Sequence, residues 1–250
     1  MGKNPDHFIY KSMTSRYKDI NINYKIFGHG KTLVWLHGWG VGFVGFENIA
    51  RRMAGFCHVL IDFPPFGKSE QPYAPFTLDD YAKLTLQILA ENNIKKAGFV
   101  GHSFGGRVAI LIAADYNKVV ERVLLVDSAG LKNTRSIKLR LKKIWVKVLK
   151  FFKKDTSKHQ STDYKNLSLV MKATFSNITN QSLLPKLSKV SAPTLVLWGK
   201  NDRETPLWMG KKIKKKIKDS ALVVFDGCGH FCYAEQSKKF VLIAQSFFGG

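Results

Sequence analysis

The chain has 250 residues, of which 45% are hydrophobic and 12% aromatic, so its composition is that of a globular protein and excludes a disordered one. It has no run of about eighteen or more apolar residues, which predicts no membrane span, and three cysteines argue against a disulfide framework. Forty Lys plus Arg against eighteen Asp plus Glu give a net charge of +22, an excess that suits nucleic acid, an anionic membrane or an acidic partner.

Alternating runs and continuous apolar runs predict the strands. In DININYKIFG (19–28) apolar side chains occupy every second position from Ile20 to Ile26, which predicts an antiparallel edge strand. Near-continuous apolar runs predict strands buried on both faces, and they begin at Thr32, His58, Ala97, Arg122, Thr194 and Ala221. Helical spacing follows Thr77, Ser103, Pro206 and Glu235. Strands that alternate with helices predict an α/β fold.

One region breaks this alternation. From Leu131 to about Lys189 no strand is predicted, and the composition shifts to lysine with scattered aromatic residues. We therefore predict a core made of 1–130 and 190–250, with a helical insertion at 131–189. Between Leu131 and Lys165 there are twelve Lys or Arg and two Asp, and 135–154 has the spacing of a basic amphipathic helix.

The turn after the strand at Ala97 contains a serine flanked by glycines. Gly101-His102-Ser103-Phe104-Gly105 fits G-x-S-x-G, a sharp strand-to-helix turn that holds a serine hydroxyl at the top of a sheet. The glycines are needed where the turn leaves no room for β-carbons. The alternative is a glycine-rich turn in which the serine has no special role.

Two further residues complete a catalytic set with this serine. A serine hydroxyl needs an imidazole to take its proton, and the imidazole needs a carboxylate to orient it. Asp202 follows the strand at Thr194, and His230 follows the strand at Ala221. Because functional residues of an open α/β sheet gather at the carboxyl ends of the strands, we expect Ser103, Asp202 and His230 to meet there.

At this point the chain resembles the α/β-hydrolase family. The matching stretches are HGWG (37–40), DFPPFGKSE (62–70), GHSFGGRVA (101–109), WGKNDRETP (198–206) and GCGHF (227–231). The resemblance implies a mostly parallel eight-stranded sheet flanked by helices, with the insertion as a small cap. It also implies Ser103 as nucleophile, His230 as general base, Asp202 as orienting acid, and an oxyanion hole from the backbone N–H groups of Trp39 and Phe104.

Several residues leave alternatives open. Asp127 ends the strand at Arg122, where some relatives place the acid, and Pro65 stands where relatives carry a glycine. His37, His102 and Trp145 are candidate pocket residues, and His37 also suits a hydrogen-bonded support beneath the oxyanion loop. Cys228, His230 and Cys232 form C-x-H-x-C but lack the second ligand pair of a zinc site, so we expect no metal, and the chemistry needs no cofactor.

The expected activity is hydrolysis of a small carboxylic ester through an acyl-enzyme. Within the family the chain is similar to carrier-protein methyl ester esterases and to carbon–carbon bond hydrolases, and the motifs do not separate them. A hydrolase-like receptor or lipid-binding protein without turnover is the non-enzymatic alternative.

The basic segment at 135–154 has three interpretations. It is a plain cap helix, an interfacial helix on anionic lipid, or a docking surface for an acidic carrier protein. Nucleic-acid binding is disfavoured because no binding fold is recognisable. The N-terminus has no apolar signal-peptide core, so the expected location is the cytoplasm, and the sequence leaves the oligomeric state open.

Overall fold

A computed structural model describes residues 12–132 and 168–250, and its centre is one eight-stranded sheet. The strands are β1 (Ser12–Tyr17), β2 (Ile20–Gly28), β3 (Lys31–Leu36), β4 (Phe56–Ile61), β5 (Ala97–His102), β6 (Val120–Val126), β7 (Thr194–Gly199) and β8 (Ser220–Phe225). They lie in the order β1-β2-β4-β3-β5-β6-β7-β8. β2 is antiparallel to both of its neighbours and every other pair is parallel, which confirms the predicted, mostly parallel sheet.

Helices cover both faces of the sheet. They are α1 (Val44–Ala50), α2 (Leu78–Glu91), α3 (Phe104–Asp115), α4 (Leu169–Asn180), α5 (Trp208–Lys216), α6 (Cys232–Glu235) and α7 (Ser237–Gly249), with 3-10 turns at Asn117–Val119 and Leu187–Lys189. α1 and α7 share one apolar core with the sheet, and α2, α3 and α5 share the other. In the described part of the chain, no helix has both the length and the apolar character needed to cross a membrane.

The prediction that 19–28 forms the edge of the sheet is wrong. This segment is β2 and is antiparallel as expected, but β1 lies outside it, with Ser12 opposite Lys25 and Tyr17 opposite Ile20. β1 buries only Ser15, so its sequence SMTSRY contains no apolar run that would reveal a strand. An exposed edge strand needs little hydrophobicity because its outer face and outer edge remain in water.

Alternate side chains of the central strands pack into the two opposite cores. Val34 and Leu36 of β3 belong to the core beneath α2 and α3, and Trp35 packs against Phe46 of α1 with ring centroids 5.2 Å apart. Burial of each such side chain contributes about 1.5–3 kcal/mol to folding. These layers hold the carboxyl ends of β3, β5, β7 and β8 at the same edge of the sheet.

A buried histidine of β4 makes the stability of the fold depend on pH. The indole N–H of Trp35 donates to Nδ1 of His58 (3.1 Å), so Nε2 carries the proton and donates to the carbonyl of Met53 (2.9 Å). Burial lowers the pKa of His58 to about 4. Between pH 6.5 and 4 the unfolded chain therefore binds a proton that the folded chain does not, and the contribution of His58 to stability is lost as the pH falls through this window.

We expect His58→Gln to remove this pH dependence, because an amide keeps one donor and one acceptor but does not titrate. The difference in unfolding free energy between the original protein and the variant should shrink by up to about 1.4 kcal/mol per pH unit below pH 6. Urea unfolding at pH 7, 6 and 5 measures it. His29→Gln, at an exposed imidazole, is the control, and a difference for His58→Gln that stays constant over this range would contradict the prediction.

The chain leaves the sheet after β6 and returns before β7. The N–H of Leu183 donates to the carbonyl of Gly130 (2.8 Å), so the two ends of this excursion are joined. The hydroxyl of Thr174 in α4 accepts the N–H of Phe76 (3.0 Å). Buried Arg107 of α3 donates to the carbonyls of Ile178 and Gln181 near the end of α4.

The boundaries 131–189 remain a prediction. The predicted basic helix at 135–154, with the pocket candidate Trp145, lies outside the described residues.

Candidate active site

β5 ends and α3 begins at a sharp turn that carries Ser103. This residue has φ +50° and ψ −109°, a positive φ that few residues except glycine adopt. A Cβ on Gly101 would lie 2.6 Å from the carbonyl oxygen of Gly105, and one on Gly105 would lie 1.9 Å from that of Leu36. Neither glycine can be replaced without moving the backbone, which explains the spacing of glycines around the serine.

The structure brings Ser103, His230 and Asp202 into one hydrogen-bonded chain. Nε2 of His230 lies 3.0 Å from Oγ of Ser103, and Nδ1 lies 2.8 Å from Oδ2 of Asp202. With Nδ1–H donating to the carboxylate, Nε2 is left to accept the serine proton. This is the arrangement in which a serine hydroxyl becomes a nucleophile.

The carboxylate of Asp202 is fully supplied with donors. Its Oδ1 accepts the N–H groups of Glu204 (2.7 Å) and Thr205 (3.0 Å), and its Oδ2 also accepts the hydroxyl of Thr205 (2.6 Å). Burial opposes ionisation, but the charge of His230 and these hydrogen bonds hold the pKa of Asp202 below its usual value. Burial likewise opposes the imidazolium form of His230, and Asp202 outweighs it and raises the pKa of His230.

Asp127, the other acid considered from the sequence, lies behind this pair. Its Oδ1 accepts the N–H of Gly199 (2.7 Å), whereas the carboxylate that pairs with His230 is that of Asp202. Asp127 is fully buried, and burial together with the charge of Asp202 raises its pKa to about 8. Burial thus favours the protonated form of Asp127, and its contact with Gly199 suits a structural role.

The residues whose backbone N–H groups are expected to form an oxyanion hole, Trp39 and Phe104, lie next to Ser103. Phe104 is the first residue of α3, so its N–H has no acceptor within the helix. Among the backbone hydrogen bonds of residues 12–132 and 168–250 outside helices and strands, none is donated by Trp39 or Phe104. The two rings are 5.4 Å apart, and a Cβ on Gly38 would lie 3.5 Å from Cβ of Ser103. The loop after β3 therefore packs directly on the serine turn.

Two buried imidazoles support this arrangement from behind. Nε2 of His37 accepts the N–H of Phe63 (2.8 Å), and Nδ1–H donates to the carbonyl of Gly38 (2.7 Å), next to Trp39. Nε2–H of His102 donates to the carbonyl of His230 (2.8 Å). Burial lowers the pKa of both, to about 3 for His102, so both are neutral hydrogen-bonding groups. Their hydrogen bonds hold the loop after β3 and the backbone of His230.

The loop of residues 62–70 is held by Asp62. The carboxylate of Asp62 accepts the N–H groups of Phe43 (2.7 Å) and Lys68 (3.0 Å), and the hydroxyl of Ser69 donates to the carbonyl of Asp62 (2.5 Å). Asp62 and Ser69 therefore stabilise the loop that places Phe66 against the ring of Trp39.

The sequence analysis missed two parts of the site. One is Thr205, which looked like an ordinary residue of the turn after Asp202. The other is an aromatic cluster around the ring of Trp39, whose centroid lies 4.9 Å from Phe66, 5.4 Å from Phe104 and 5.1 Å from Phe175. Phe175 belongs to α4, so only the folded chain shows that it lies beside Trp39 in the loop after β3.

No group of three or more His, Cys, Asp or Glu within residues 12–132 and 168–250 is arranged to hold a metal ion. Cys228 and Cys232 are buried free thiols, and His230 between them points to Ser103 and Asp202.

Two known hydrolases are similar in sequence to this chain over most of their length. The chain is 28% identical over 256 aligned positions to 2-hydroxy-6-oxononadienedioate/2-hydroxy-6-oxononatrienedioate hydrolase 1 of Pseudomonas putida, covering 89% of this chain and 90% of that protein. It is 26% identical over 265 positions to 2-hydroxy-6-oxo-6-phenylhexa-2,4-dienoate hydrolase of Comamonas testosteroni, covering 92% of this chain and 91% of that protein.

Solved structures show the same fold. A serine hydrolase involved in carbazole degradation superposes with a TM-score of 0.81 at 24% identity, covering 96% of this chain and 99% of that one. A hydrolase from Pseudomonas aeruginosa superposes with a TM-score of 0.81 at 18% identity, covering 99% and 100% of the two chains. The family model described as "Alpha/beta hydrolase family" matches residues 33–242, which include Ser103, Asp202 and His230. The chain belongs to the alpha/beta hydrolase family.

Proposed function

We propose that this protein hydrolyses the carbon–carbon bond beside the 6-oxo group of a 2-hydroxy-6-oxo-dienoate, with Ser103 as nucleophile. The observation that carries the proposal is the chain of contacts from Ser103 through His230 to Asp202. The substrate class is proposed from the two dienoate hydrolases to which the chain is similar over most of its length. The substrate names of those relatives contain a ketone but no ester or amide, so the bond broken there is carbon–carbon.

The reaction starts with a shift of one proton within the substrate. The 2-hydroxyl proton moves to C5, which leaves a 2-oxo group conjugated to the C3–C4 double bond and a saturated C5 next to the C6 ketone. Oγ of Ser103 then attacks C6 while Nε2 of His230 takes the hydroxyl proton. The oxyanion that forms on C6 is stabilised by the N–H groups of Trp39 and Phe104.

Collapse of this oxyanion breaks the C5–C6 bond. The electron pair moves through C4 and C3 to the 2-oxo oxygen, and the resulting dienolate takes the proton from His230 and leaves as a 2-hydroxydienoate. The carbonyl carbon C6 remains on Ser103 as an acyl-enzyme. Water, deprotonated by His230, hydrolyses that ester and releases a carboxylic acid. Asp202 stabilises the imidazolium in both halves of the reaction.

The aromatic cluster around Trp39 supports an apolar substituent on C6. Trp39, Phe66, Phe104 and Phe175 lie within ring-contact distance beside the turn that carries Ser103. Rings in this arrangement favour another aromatic or alkyl group and disfavour a carboxylate that would lose its water. Of the two substrate classes named for the relatives, the phenyl-substituted dienoate fits these residues better than the dicarboxylate.

Ester hydrolysis is the second candidate. The same aromatic cluster suits an uncharged acyl group, and the same serine, imidazole and carboxylate cleave an ester without the initial proton shift. Amides are poorer substrates in this reading, because an amine is a worse leaving group than an alkoxide. An apolar carboxylic ester is therefore the comparison substrate for the dienoate.

We expect kcat/KM for 2-hydroxy-6-oxo-6-phenylhexa-2,4-dienoate to exceed that for p-nitrophenyl butyrate by at least about 100-fold, or ~2.7 kcal/mol of transition-state stabilisation. Loss of dienoate absorbance and release of benzoate measure the first activity, and p-nitrophenolate measures the second. 2-Hydroxy-6-oxononadienedioate should be cleaved more slowly than the phenyl compound because its second carboxylate meets the aromatic cluster. An enzyme that cleaves the ester rapidly and leaves both dienoates intact would establish the second candidate instead.

A further inference from the structure

The side chain of Thr205 lies at the centre of the acid end of the site. Its buried Oγ1 is 2.6 Å from Oδ2 of Asp202, 2.9 Å from the carbonyl oxygen of Asp127 and 3.4 Å from Nδ1 of His230. The indole N–H of buried Trp198 donates to the carbonyl of Thr205 (2.7 Å) and holds its backbone in place. The hydroxyl is therefore fixed between the carboxylate of Asp202, the backbone carbonyl of Asp127 and the imidazole of His230.

A hydroxyl has a single proton, so Thr205 can donate fully to only one of these acceptors. The contact with Oδ2 of Asp202 is the shorter one, and its length is that of a hydroxyl donating to an ionised carboxylate. Oδ2 thus accepts two hydrogen bonds, one from Thr205 and one from Nδ1–H of His230. The two donors share the negative charge of the same oxygen.

We propose that Thr205 is a positioning residue that orients the carboxylate of Asp202 and tunes the basicity of His230 through the shared oxygen Oδ2. The backbone N–H groups of Glu204 and Thr205 fix Oδ1, and the Thr205 hydroxyl fixes the rotation that turns Oδ2 towards the imidazole. This role does not depend on whether the substrate is a dienoate or an ester, because it concerns the base and not the bond that is broken.

The direction of the effect follows from the groups around the imidazole. The charged and titratable groups that face His230 are Asp202, Asp127, Glu204 and His102. The carboxylate of Asp202 favours the imidazolium form most strongly, while burial and His102 oppose it. Without the Thr205 hydroxyl, more of the charge on Oδ2 acts on His230. The pKa of His230 then rises, and a smaller fraction is available as a neutral base at a given pH.

The test is the pH dependence of Thr205→Val, which keeps the shape of the side chain and removes the hydroxyl. We expect the acidic limb of the kcat/KM profile to move up by about one pH unit, with a loss of about tenfold at any pH below the limb. Thr205→Ser, which restores a hydroxyl, should return the limb to its original position. Thr205→Ala carries the same expectation as Thr205→Val and replaces it if the valine variant does not fold.

Thr194→Val is the matched control. Thr194 is also buried, and its hydroxyl donates to the carbonyl of Ala192 (2.9 Å). It is the first residue of β7, whereas Asp202 follows the last residue of that strand. This variant should lose comparable stability and leave the pH profile in place. A limb that does not move in Thr205→Val, or that moves equally in Thr205→Ser or Thr194→Val, would overturn the proposal.

A second measurement needs no substrate. In a Ser103→Ala background, NMR titration of the His230 ring, identified by comparison with His230→Gln, reports its pKa directly. We expect this pKa to be higher with Thr205→Val and unchanged with Thr194→Val. An unchanged value with Thr205→Val would reject the tuning role, even if neither the dienoate nor the ester proved to be a substrate.

Discussion

Ser103→Ala should lower kcat by about 10⁴-fold or more on whichever substrate the protein cleaves, with little change in stability. The hydroxyl is the atom that His230 contacts at 3.0 Å, and no other described hydrogen bond uses Oγ of Ser103. Removing the nucleophile of a serine hydrolase leaves only the rate gained from substrate binding and the oxyanion hole. Single-turnover kinetics on the variant measure the residual rate, and a fluorophosphonate should label the original protein at Ser103 and leave the variant unlabelled.

The two acids supply the matched pair for this experiment. Asp202→Asn should cost about 10³–10⁴-fold, because an amide cannot stabilise the imidazolium and its N–H₂ group opposes the required tautomer of His230. Asp127→Asn should stay within a few-fold of the original, since the carboxylate that pairs with His230 is that of Asp202 and an amide oxygen can accept the N–H of Gly199. Full activity in Asp202→Asn with loss in Asp127→Asn would reverse the assignment of the acid.

Gly105→Ala should lower the unfolding free energy by about 4 kcal/mol or more, or prevent folding. The added Cβ would lie 1.9 Å from the carbonyl oxygen of Leu36 and 2.8 Å from that of His37. Both of those atoms belong to the backbone where β3 ends, so no side chain can rotate away to make room. Relief requires α3 to move away from the sheet, which also displaces the turn of Ser103.

Urea unfolding of Gly105→Ala and Gly249→Ala separates this collision from a general effect of the substitution. Gly249 is also at a helical position, but a Cβ there meets nothing within 4 Å. Gly249→Ala should therefore keep its unfolding midpoint. An unchanged midpoint and unchanged activity in Gly105→Ala would contradict the prediction, because the backbone around Gly105 would then accommodate the added Cβ without loss of stability.

The α/β fold was predictable because its strands are buried on both faces. Trp35 and Trp198 stand in such runs and have no exposed surface, so the hydrophobic pattern reports their positions directly. β1 was not predictable, because five of its six residues are partly or fully exposed. β1 is held in the sheet by backbone hydrogen bonds to β2, and the residue types in SMTSRY do not predict them.

The catalytic residues of the candidate site were predictable from the sequence, but the residues that contact them were not. Asp127 and Asp202 both follow apolar strands, and the sequence favoured Asp202 because it lies in the better-matched motif; the structure pairs this residue with His230. The contact of Thr205 with Asp202, and that of Phe175 with Trp39, became visible only in the structure. The bond that is broken lay beyond the motifs, because esters and ketones are attacked by the same serine, base and oxyanion donors.

The hydrogen bond between Leu183 and Gly130 has a consequence for how this protein can diversify. This hydrogen bond joins the residues on either side of 131–182, so the two ends of this segment are held together by the described core whatever the length of chain between them. Because the entropy of closing a loop grows only with the logarithm of its length, doubling such an excursion costs the fold about 0.6 kcal/mol. Insertions and deletions there can therefore be accommodated while the strand ends that hold Ser103, Asp202 and His230 keep their geometry.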